Sequence, residues 1–227
     1  MQESPTTPTG LLDPSPIGPD AMWRLPTPVC QVRNLLGPRV SARLLERAIA
    51  TAGGPLVPAT VGHAQEVRRE VRRSHEDFGF ALPELVAAVH ELLPGVEGAL
   101  GVSCRDTEPR HSLNVHSDGE FLVPHQDSWD TFHPLRAVTF VYYLHRTPRP
   151  FEGGALRVYD GATPVRPDGR STAWEDRSWT DYPPEHDSIL FFRPSARHEV
   201  RPVTCPSRRR EDSRFAINGR LTRLPAG

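Results

Sequence analysis

A change in hydrophobic pattern at Gly101 constrains the fold of this chain more than any other feature of its sequence. Upstream, apolar residues recur at helical spacing, whereas downstream short segments rich in β-branched and aromatic residues alternate with polar turns. The strongest downstream segment is 136–144 (RAVTFVYYL), whose composition is typical of a buried strand. The other predicted strands are His111–His116, Glu120–His125, Gly153–Tyr159, Ser188–Phe192, Glu199–Val203 and Phe215–Asn218. Together they predict a mainly β protein with flanking helices, built around a double-stranded β-helix, the jelly roll of cupin-like proteins.

Two helices are predicted ahead of the strands. The first begins with Ser41 as its N-cap, runs through Ala42–Ala52 and stops at a glycine pair. The second covers Pro83–Leu93, because its apolar residues recur at helical spacing until Pro94 and a glycine interrupt the pattern. The charged stretch Glu66–Ser74 between them is predicted to be helical at its edge.

The 227 residues fit one domain, since β sandwiches and barrels often reach this length without dividing. Residues 1–28 are rich in proline, threonine and serine, and we expect a flexible lead-in there. Residues 29–227 are expected to form a single domain, with helical support over 40–95 and the jelly-roll core over about 100–220.

The basic residues are all arginine: 27 positive charges are present, and none is a lysine. Without a lysine amine, Schiff-base chemistry is excluded, and so is a Walker-type phosphate-binding loop. The positive charges face 28 acidic residues, which argues against a nucleic-acid partner held by a positive field. The densest basic run, Arg208–Arg210, is followed at once by Glu211 and Asp212, which predicts a solvated loop.

The cysteines Cys30, Cys104 and Cys205 are widely separated, and the sequence contains no C-x-x-C pair. This spacing predicts reduced thiols in a cytoplasmic protein rather than a zinc knuckle or a redox dithiol. The first residues do not resemble a secretory leader, and no apolar run approaches the ~20 residues of a membrane span. We therefore expect no membrane partner, while the sequence does not indicate an oligomeric state.

A His-x-Asp motif at His125 and Asp127 carries the strongest chemical signal. In a strand, residues two apart project from the same face, so the motif presents an imidazole and a carboxylate together. A third ligand must come from another strand, and His198 begins a β segment near the C-terminus. Two imidazoles and one carboxylate are the facial triad expected of non-haem iron(II) oxygenases. The motif alone is short, and its meaning depends on the surrounding sequence.

From about Leu113 to Arg220 the chain resembles the prolyl-4-hydroxylase-like branch of the Fe(II)/2-oxoglutarate dioxygenases. The segments that carry the resemblance occur in the order of the family: DGEFLVPHQDSWD, RAVTFVYYLHRTP, FEGGALRVYDG, DSILFFRPSARHEVRPV and RFAINGR. The resemblance implies a double-stranded β-helix that binds Fe(II) and uses 2-oxoglutarate and O2 as cosubstrates.

The resemblance assigns the metal ligands residue by residue. His125 and Asp127 match the H-x-D of the family, and His198 matches its distal histidine. Arg214, in RFAING, matches the arginine that binds the distal carboxylate of 2-oxoglutarate, a task suited to a planar guanidinium. It follows His198 by 16 residues, farther than is usual in the family, and the basic loop after Cys205 is interpreted as an insertion.

Further contacts to the cosubstrate are implied by the same likeness. Tyr143 matches a tyrosine that binds the same carboxylate in hypoxia-sensing prolyl hydroxylases, and its alternative role is that of a core aromatic residue. Thr139 shares a strand face with Tyr143, and Asn218 shares one with Arg214. His116 lies near the position where relatives place a cofactor-contacting tyrosine, so the histidine is a departure from the pattern.

The candidates for substrate contact are Trp129, Asp130, Arg136 and Arg220, and each has a structural or surface role as its alternative. Arginines beside a pocket suit a substrate that bears a carboxylate. The function implied by the resemblance is hydroxylation of a C–H bond of a small molecule, such as an amino acid or a secondary-metabolite intermediate, with release of succinate and CO2. The alternatives are a peptidyl, prolyl-type hydroxylase, a metal-dependent cupin isomerase or lyase without redox chemistry, and a binding module without catalysis.

Overall fold

The computed structural model describes residues 26–62, 65–80, 82–128, 135–161 and 178–224. Its helices are α1 (Gly37–Ala52) and α2 (Pro83–Leu100). The strands are β1 (Val29–Arg33), β2 (Val57–Pro58), β3 (Arg72–Arg73), β4 (His75–Asp77), β5 (Thr107–His116), β6 (Phe121–His125), β7 (Arg136–Leu144), β8 (Glu152–Gly153), β9 (Leu156–Tyr159), β10 (Trp179–Tyr182), β11 (Ser188–Phe192), β12 (His198–Val200), β13 (Val203–Thr204) and β14 (Arg214–Arg223). No helix within these ranges is long and apolar enough to cross a membrane.

Two antiparallel sheets form the body of the protein, as the predicted jelly roll requires. The larger sheet has seven strands in the order β1-β11-β7-β14-β5-β4-β2, and the smaller has five in the order β10-β9-β12-β6-β3. A separate two-stranded pairing of β13 with β8 joins their ends. Apolar residues of β7, β9, β11, β12 and β14 form the core between the two sheets.

Strand alternation sorts the larger sheet into two faces. On β7, Phe140 and Tyr142 pack with the helices in one core cluster, whereas Val141 and Tyr143 belong to the core between the sheets. β14 follows the same rule, with Phe215 on the helical side. Both strands are buried on both faces, which explains their nearly continuous apolar composition.

Helix α1 begins four residues before the predicted N-cap. Ser41 lies inside the helix, is buried, and donates its hydroxyl to the carbonyl of Gly37 at 2.8 Å. The free N–H groups of the first turn are satisfied by Asp187, whose carboxylate accepts from Leu36 and Gly37 at 3.0 and 2.9 Å. The prediction of a Ser41 cap was therefore wrong, because the capping carboxylate comes from a residue about 150 positions away.

Helix α2 continues past the predicted stop at Pro94 and ends where Gly101 adopts a left-handed conformation at φ 60°. A proline inside a helix removes one backbone hydrogen bond and destabilises by about 3 kcal/mol. Continuing the helix buries Val96 and Leu100 in the core, which offsets that loss.

The segment Glu66–Ser74 contains no helix in its described residues, and the prediction of one was wrong. It forms β3, which pairs with β6, because the edge of the smaller sheet offers backbone partners that sequence periodicity does not reveal. The predicted strand Gly153–Tyr159 divides into β8 and β9, since Gly153 and Gly154 have φ values of +69° and +66° and interrupt the pairing.

Hydrogen bonds and ion pairs of both basic and acidic side chains anchor the loop after Cys205. Arg210 was expected in solvent, but it donates to the carbonyl of Ala52 at the end of α1, at 3.0 Å. Asp212 is buried and accepts from Arg209 at 2.8 Å and from Arg146 at 2.9 Å. The side chain of Arg208, by contrast, is 81% exposed, as predicted for a solvated loop.

Candidate metal and 2-oxoglutarate site

The two histidines of the predicted triad are direct neighbours across a strand pair. His125 is the last residue of β6, and His198 is the first residue of β12. The antiparallel pairing of these strands sets the two residues opposite one another, with ring centroids 4.2 Å apart. Residues far apart in sequence thus share one face of the smaller sheet.

Asp127 lies just beyond β6 and is held there by its backbone and its side chain. Its N–H donates to the carbonyl of Pro194 at 2.8 Å, which ties the motif to the turn that leads into His198. Its carboxylate accepts a hydrogen bond from the Thr139 hydroxyl at 2.7 Å. The potential ligand atoms of His125, Asp127 and His198 all lie within 4.8 Å of one another, close enough to share one ion.

Hydrogen bonds on the far side of each ring leave the same nitrogen free. Nδ1 of His125 lies 3.0 Å from the carbonyl of Val123, and Nδ1 of His198 lies 2.8 Å from the carbonyl of Ala196. A carbonyl only accepts, so each Nδ1 carries the proton and each Nε2 has a lone pair. Metal-binding histidines are oriented in this way in proteins generally.

The charge states of the triad suit a cation. Burial, with the neighbouring His198, lowers the pKa of His125 to about 3, so its imidazole is neutral at pH 7. Burial raises the pKa of Asp127, but His198, His125 and Arg220 and the Thr139 hydrogen bond lower it more, to about 2. Neutral imidazoles and an ionised carboxylate are the forms that bind metal.

Arg214 is the largest fully buried side chain of the described structure, and it has no carboxylate partner there. Its Nε donates to the carbonyl of Gly154 at 2.7 Å, and one terminal nitrogen lies 3.3 Å from Nδ1 of His116. Its guanidinium carbon sits 4.9 Å from the centroid of the Tyr143 ring. A buried positive charge of this kind is unfavourable unless an anion pairs with it.

Two further polar atoms beside Arg214 also lack partners in the described structure: the Tyr143 hydroxyl and Nε2 of His116. Burial and the charge of Arg214 hold the pKa of His116 well below its usual range, so the ring is neutral. Because its Nδ1 faces an arginine donor, Nε2 carries the proton. Two donors without acceptors among the described residues thus lie beside a buried guanidinium, which matches the chemistry of a carboxylate.

Gly154 allows Arg214 to reach this position. A Cβ at residue 154 would stand 2.7 Å from Cδ of Arg214 and 3.0 Å from Val203. The neighbouring Gly153 has no room either, since its Cβ would lie 2.2 Å from the carbonyl oxygen of Pro202. The glycine pair thus permits close backbone approach directly over the buried arginine.

A cleft of about 580 Å³, including its opening to solvent, joins these groups. Of the residues predicted from sequence, the cleft is lined by His125, Asp127, Thr139, His198, Arg214, Asn218 and Arg220. Tyr143 and His116 contact Arg214 as described above.

Four polar residues of the cleft escaped sequence interpretation: Arg72, Glu76, Ser112 and Asn114. Ser112 and Asn114 alternate with His116 on β5, so strand periodicity would have placed them on its face. Arg72 carried no usable signal, because it lies in the stretch Glu66–Ser74 that was predicted to be helical at its edge, and Glu76 lies outside every predicted element. In the structure they form an ion pair of 3.2 Å, and Arg72 also donates to Asn114.

The remaining predicted substrate residues fall into two groups. Arg136 donates a hydrogen bond to the backbone carbonyl of Asp127 at 2.5 Å. This contact helps to orient the His-x-Asp motif. Trp129 and Asp130 lie outside the described residues.

Residues 111–221 match the family model described as the 2OG-Fe(II) oxygenase superfamily. The chain is 32% identical over 206 residues to an uncharacterized PKHD-type hydroxylase of Synechocystis sp. (strain ATCC 27184 / PCC 6803 / Kazusa). That alignment covers 86% of this chain but 63% of the relative, so the chain spans less than two thirds of that protein.

Two solved structures share the fold. A Pseudomonas putida prolyl-4-hydroxylase aligns with a TM-score of 0.61 at 23% identity, covering 87% of this chain and 94% of that one. A Trichoplax adhaerens prolyl hydroxylase, in complex with a hypoxia inducible factor oxygen degradation domain peptide fragment, aligns with a TM-score of 0.63 at 19% identity, covering 86% and 84%. The predicted jelly roll is thereby confirmed.

The superfamily uses Fe(II), 2-oxoglutarate and O2, and the His-Asp-His cluster and the buried arginine supply groups of the kind that these cofactors require. The expectation of an oxygenase domain with these cofactors is confirmed. In its sequence over residues 111–221 and in its fold, this chain is similar to the 2OG-Fe(II) oxygenase superfamily.

Proposed function

We propose that this chain hydroxylates a C–H bond of a small molecule, an amino acid or a secondary-metabolite intermediate, and releases succinate and CO2. One observation carries the proposal: a single cleft holds two imidazoles, a carboxylate and a buried arginine without an anionic partner among the described residues. When bound, iron and its cosubstrates supply the oxidising power for the hydroxylation, and the protein supplies geometry and charge.

In this proposal His125, Asp127 and His198 hold the iron through two Nε2 atoms and one carboxylate oxygen. The carbonyls of Val123 and Ala196 keep both rings in the required tautomer. The two rings and the carboxylate leave the other side of the metal open for cosubstrates.

The distal carboxylate of 2-oxoglutarate would pair with Arg214, and the Tyr143 hydroxyl and His116 Nε2 would donate to the same group. This pairing relieves the burial of an unpaired charge and satisfies two orphaned donors at once. Asn218 lines the cleft on the face of Arg214 and can contact the cosubstrate along its length.

The test is anaerobic addition of Fe(II) and 2-oxoglutarate to the purified chain. We expect a weak visible charge-transfer band, and Arg214→Gln should weaken 2-oxoglutarate binding by about 100-fold through the loss of a charged pair. Arg223→Gln is the matched control, because Arg223 lies on the same strand but is exposed and outside the cleft. The absence of a band would refute the proposal, and turnover without 2-oxoglutarate would favour a non-redox cupin.

Peptidyl hydroxylation is the second candidate, because the two solved relatives are prolyl hydroxylases and one of them binds a peptide. Incubation with free amino acids and with proline-containing peptides separates the two. With a free amino acid, we expect succinate and an amino-acid product that is heavier by one oxygen atom. Hydroxylation of the peptides alone would favour the second candidate.

A further inference from the structure

The cleft has two cationic ends on one strand. Arg214 and Arg220 both lie on β14 and both line the cleft, since residues an even number apart share a strand face. Six residues separate them, roughly 20 Å along the strand. Arg214 is fully buried at what we call the inner end, and Arg220 is half-buried at the outer end.

The outer end is the one next to the proposed metal. Arg220 pairs across the strand with Thr139, and the Thr139 hydroxyl binds the carboxylate of Asp127. In a substrate held by Arg220, the group bound to the guanidinium would therefore lie within a few bonds of the carbon that faces the proposed metal.

Arg220 forms no hydrogen bond or ion pair with any residue in the described parts of the chain. Arg72, which also lines the cleft, differs in this respect. It forms an ion pair with Glu76 and donates a hydrogen bond to Asn114. The outer end thus keeps a guanidinium with free donors.

Positive charges surround Arg220 as well. Arg110 is its direct cross-strand partner on β5, and like charges in opposed positions destabilise a sheet. Arg72 lines the same cleft as Arg220. Several guanidinium groups that repel one another beside an open cleft attract an anion.

We infer that Arg220 binds a carboxylate of the substrate, and that the substrate is a small carboxylic acid oxidised a few bonds from that group. This inference rests on the proposed function and narrows it. A planar guanidinium with unused donors can hold a carboxylate through two parallel hydrogen bonds. Ser112 and Asn114 on the facing strand add neutral polar groups to the same cleft. A residue inside a polypeptide has no main-chain carboxylate to offer, so the inference favours free acids.

The test uses free L-amino acids and simple monocarboxylic acids, each paired with its own amide, as probes. They are titrated into the anaerobic complex of Fe(II), 2-oxoglutarate and protein, and dissociation constants are taken from the change in the charge-transfer band. The proteins compared are the wild type, Arg220→Gln, Arg220→Lys and the control Arg223→Gln. Succinate formation in air is then measured for each probe that binds.

We expect at least one free acid to bind the wild type about 10-fold or more tightly than its amide. Arg220→Gln should remove this preference, Arg220→Lys should keep part of it, and Arg223→Gln should keep it all. Affinity for 2-oxoglutarate should stay within about two-fold in every variant, because Arg214 is untouched.

Two results would overturn the inference: no acid in the panel distinguished from its amide by the wild type, or an undiminished preference in Arg220→Gln. Failure of the proposed function looks different, since the wild type would then show no band with Fe(II) and 2-oxoglutarate before any probe is added.

Discussion

The two sheets of this protein contribute to the site in different ways. The larger sheet carries Arg214, Thr139 and Tyr143 on strands of nine and ten residues that are buried on both faces. The smaller sheet carries His125 and His198 at the ends of strands of five and three residues. The residues proposed to bind the cosubstrate thus belong to the core, whereas the geometry of the proposed metal ligands depends on loop contacts. Four substitutions separate the two contributions.

Asp127→Ala should have the largest effect, because it removes one of the three proposed metal ligands. We expect hydroxylation to fall below about one hundredth of the wild-type rate, with Fe(II) affinity lowered at least as much. Product analysis by mass spectrometry and metal titration measure the two effects. Full activity in this variant would remove residue 127 from the proposed coordination sphere.

Arg214→Met tests the core-embedded end. It should weaken 2-oxoglutarate binding by about 100-fold, yet leave the free energy of unfolding within about 1 kcal/mol of wild type, because it removes an unpaired buried charge. Calorimetric titration and urea unfolding measure the two quantities. A large loss of stability with unchanged binding would show that this arginine serves the fold alone.

Thr139→Val probes the hydrogen bond that links the sheets. The substitution keeps the shape of the side chain but removes the donor to Asp127, and we expect Fe(II) affinity to fall by about 10- to 100-fold. Thr180→Val serves as the control, since that residue lies on β10 outside the cleft. Equal metal affinity in both variants would show that the carboxylate is held well enough by its backbone.

Gly154→Ala should have the smallest effect, about a 10-fold rise in the KM for 2-oxoglutarate, because its Cβ would press on Arg214. Gly119→Ala is the matched control: its φ of +74° gives the same backbone strain, but its Cβ would meet no atom within 4 Å. Steady-state kinetics with varied 2-oxoglutarate distinguish the two. A similar KM in both would mean that backbone strain alone accounts for the change.

Strand prediction succeeded where burial made the pattern continuous. The segments 136–144 and 188–192 were predicted to the residue, since each is apolar on both faces and bounded by polar turns. The bounds of the helices were wrong, because Asp187 caps α1 from a distant loop and the core rewards continuation of α2 through Pro94. Such effects arise from contacts between segments, which local propensity does not contain.

The residues of the candidate site divide in the same way, into those that had a signal in the sequence and those that had none. The motif at residues 125–127, the distal His198 and Arg214 could be identified from sequence, because the family resemblance covers all of them. Arg72 and Glu76 could not, since neither lies in a motif: Arg72 enters the cleft through the pairing of β3 with β6, and Glu76 through the pairing of β4 with β5.

The amino-acid sequence by itself determined the chemistry available to this protein: the residue types of the triad, an arginine for the cosubstrate, and the absence of any lysine. Tertiary structure alone decided the register that sets His125 opposite His198, and the burial that leaves Arg214 without an anionic partner in the described residues. The physical reason is that strand pairing and burial depend on which distant segments meet, whereas side-chain chemistry belongs to each residue wherever it lies.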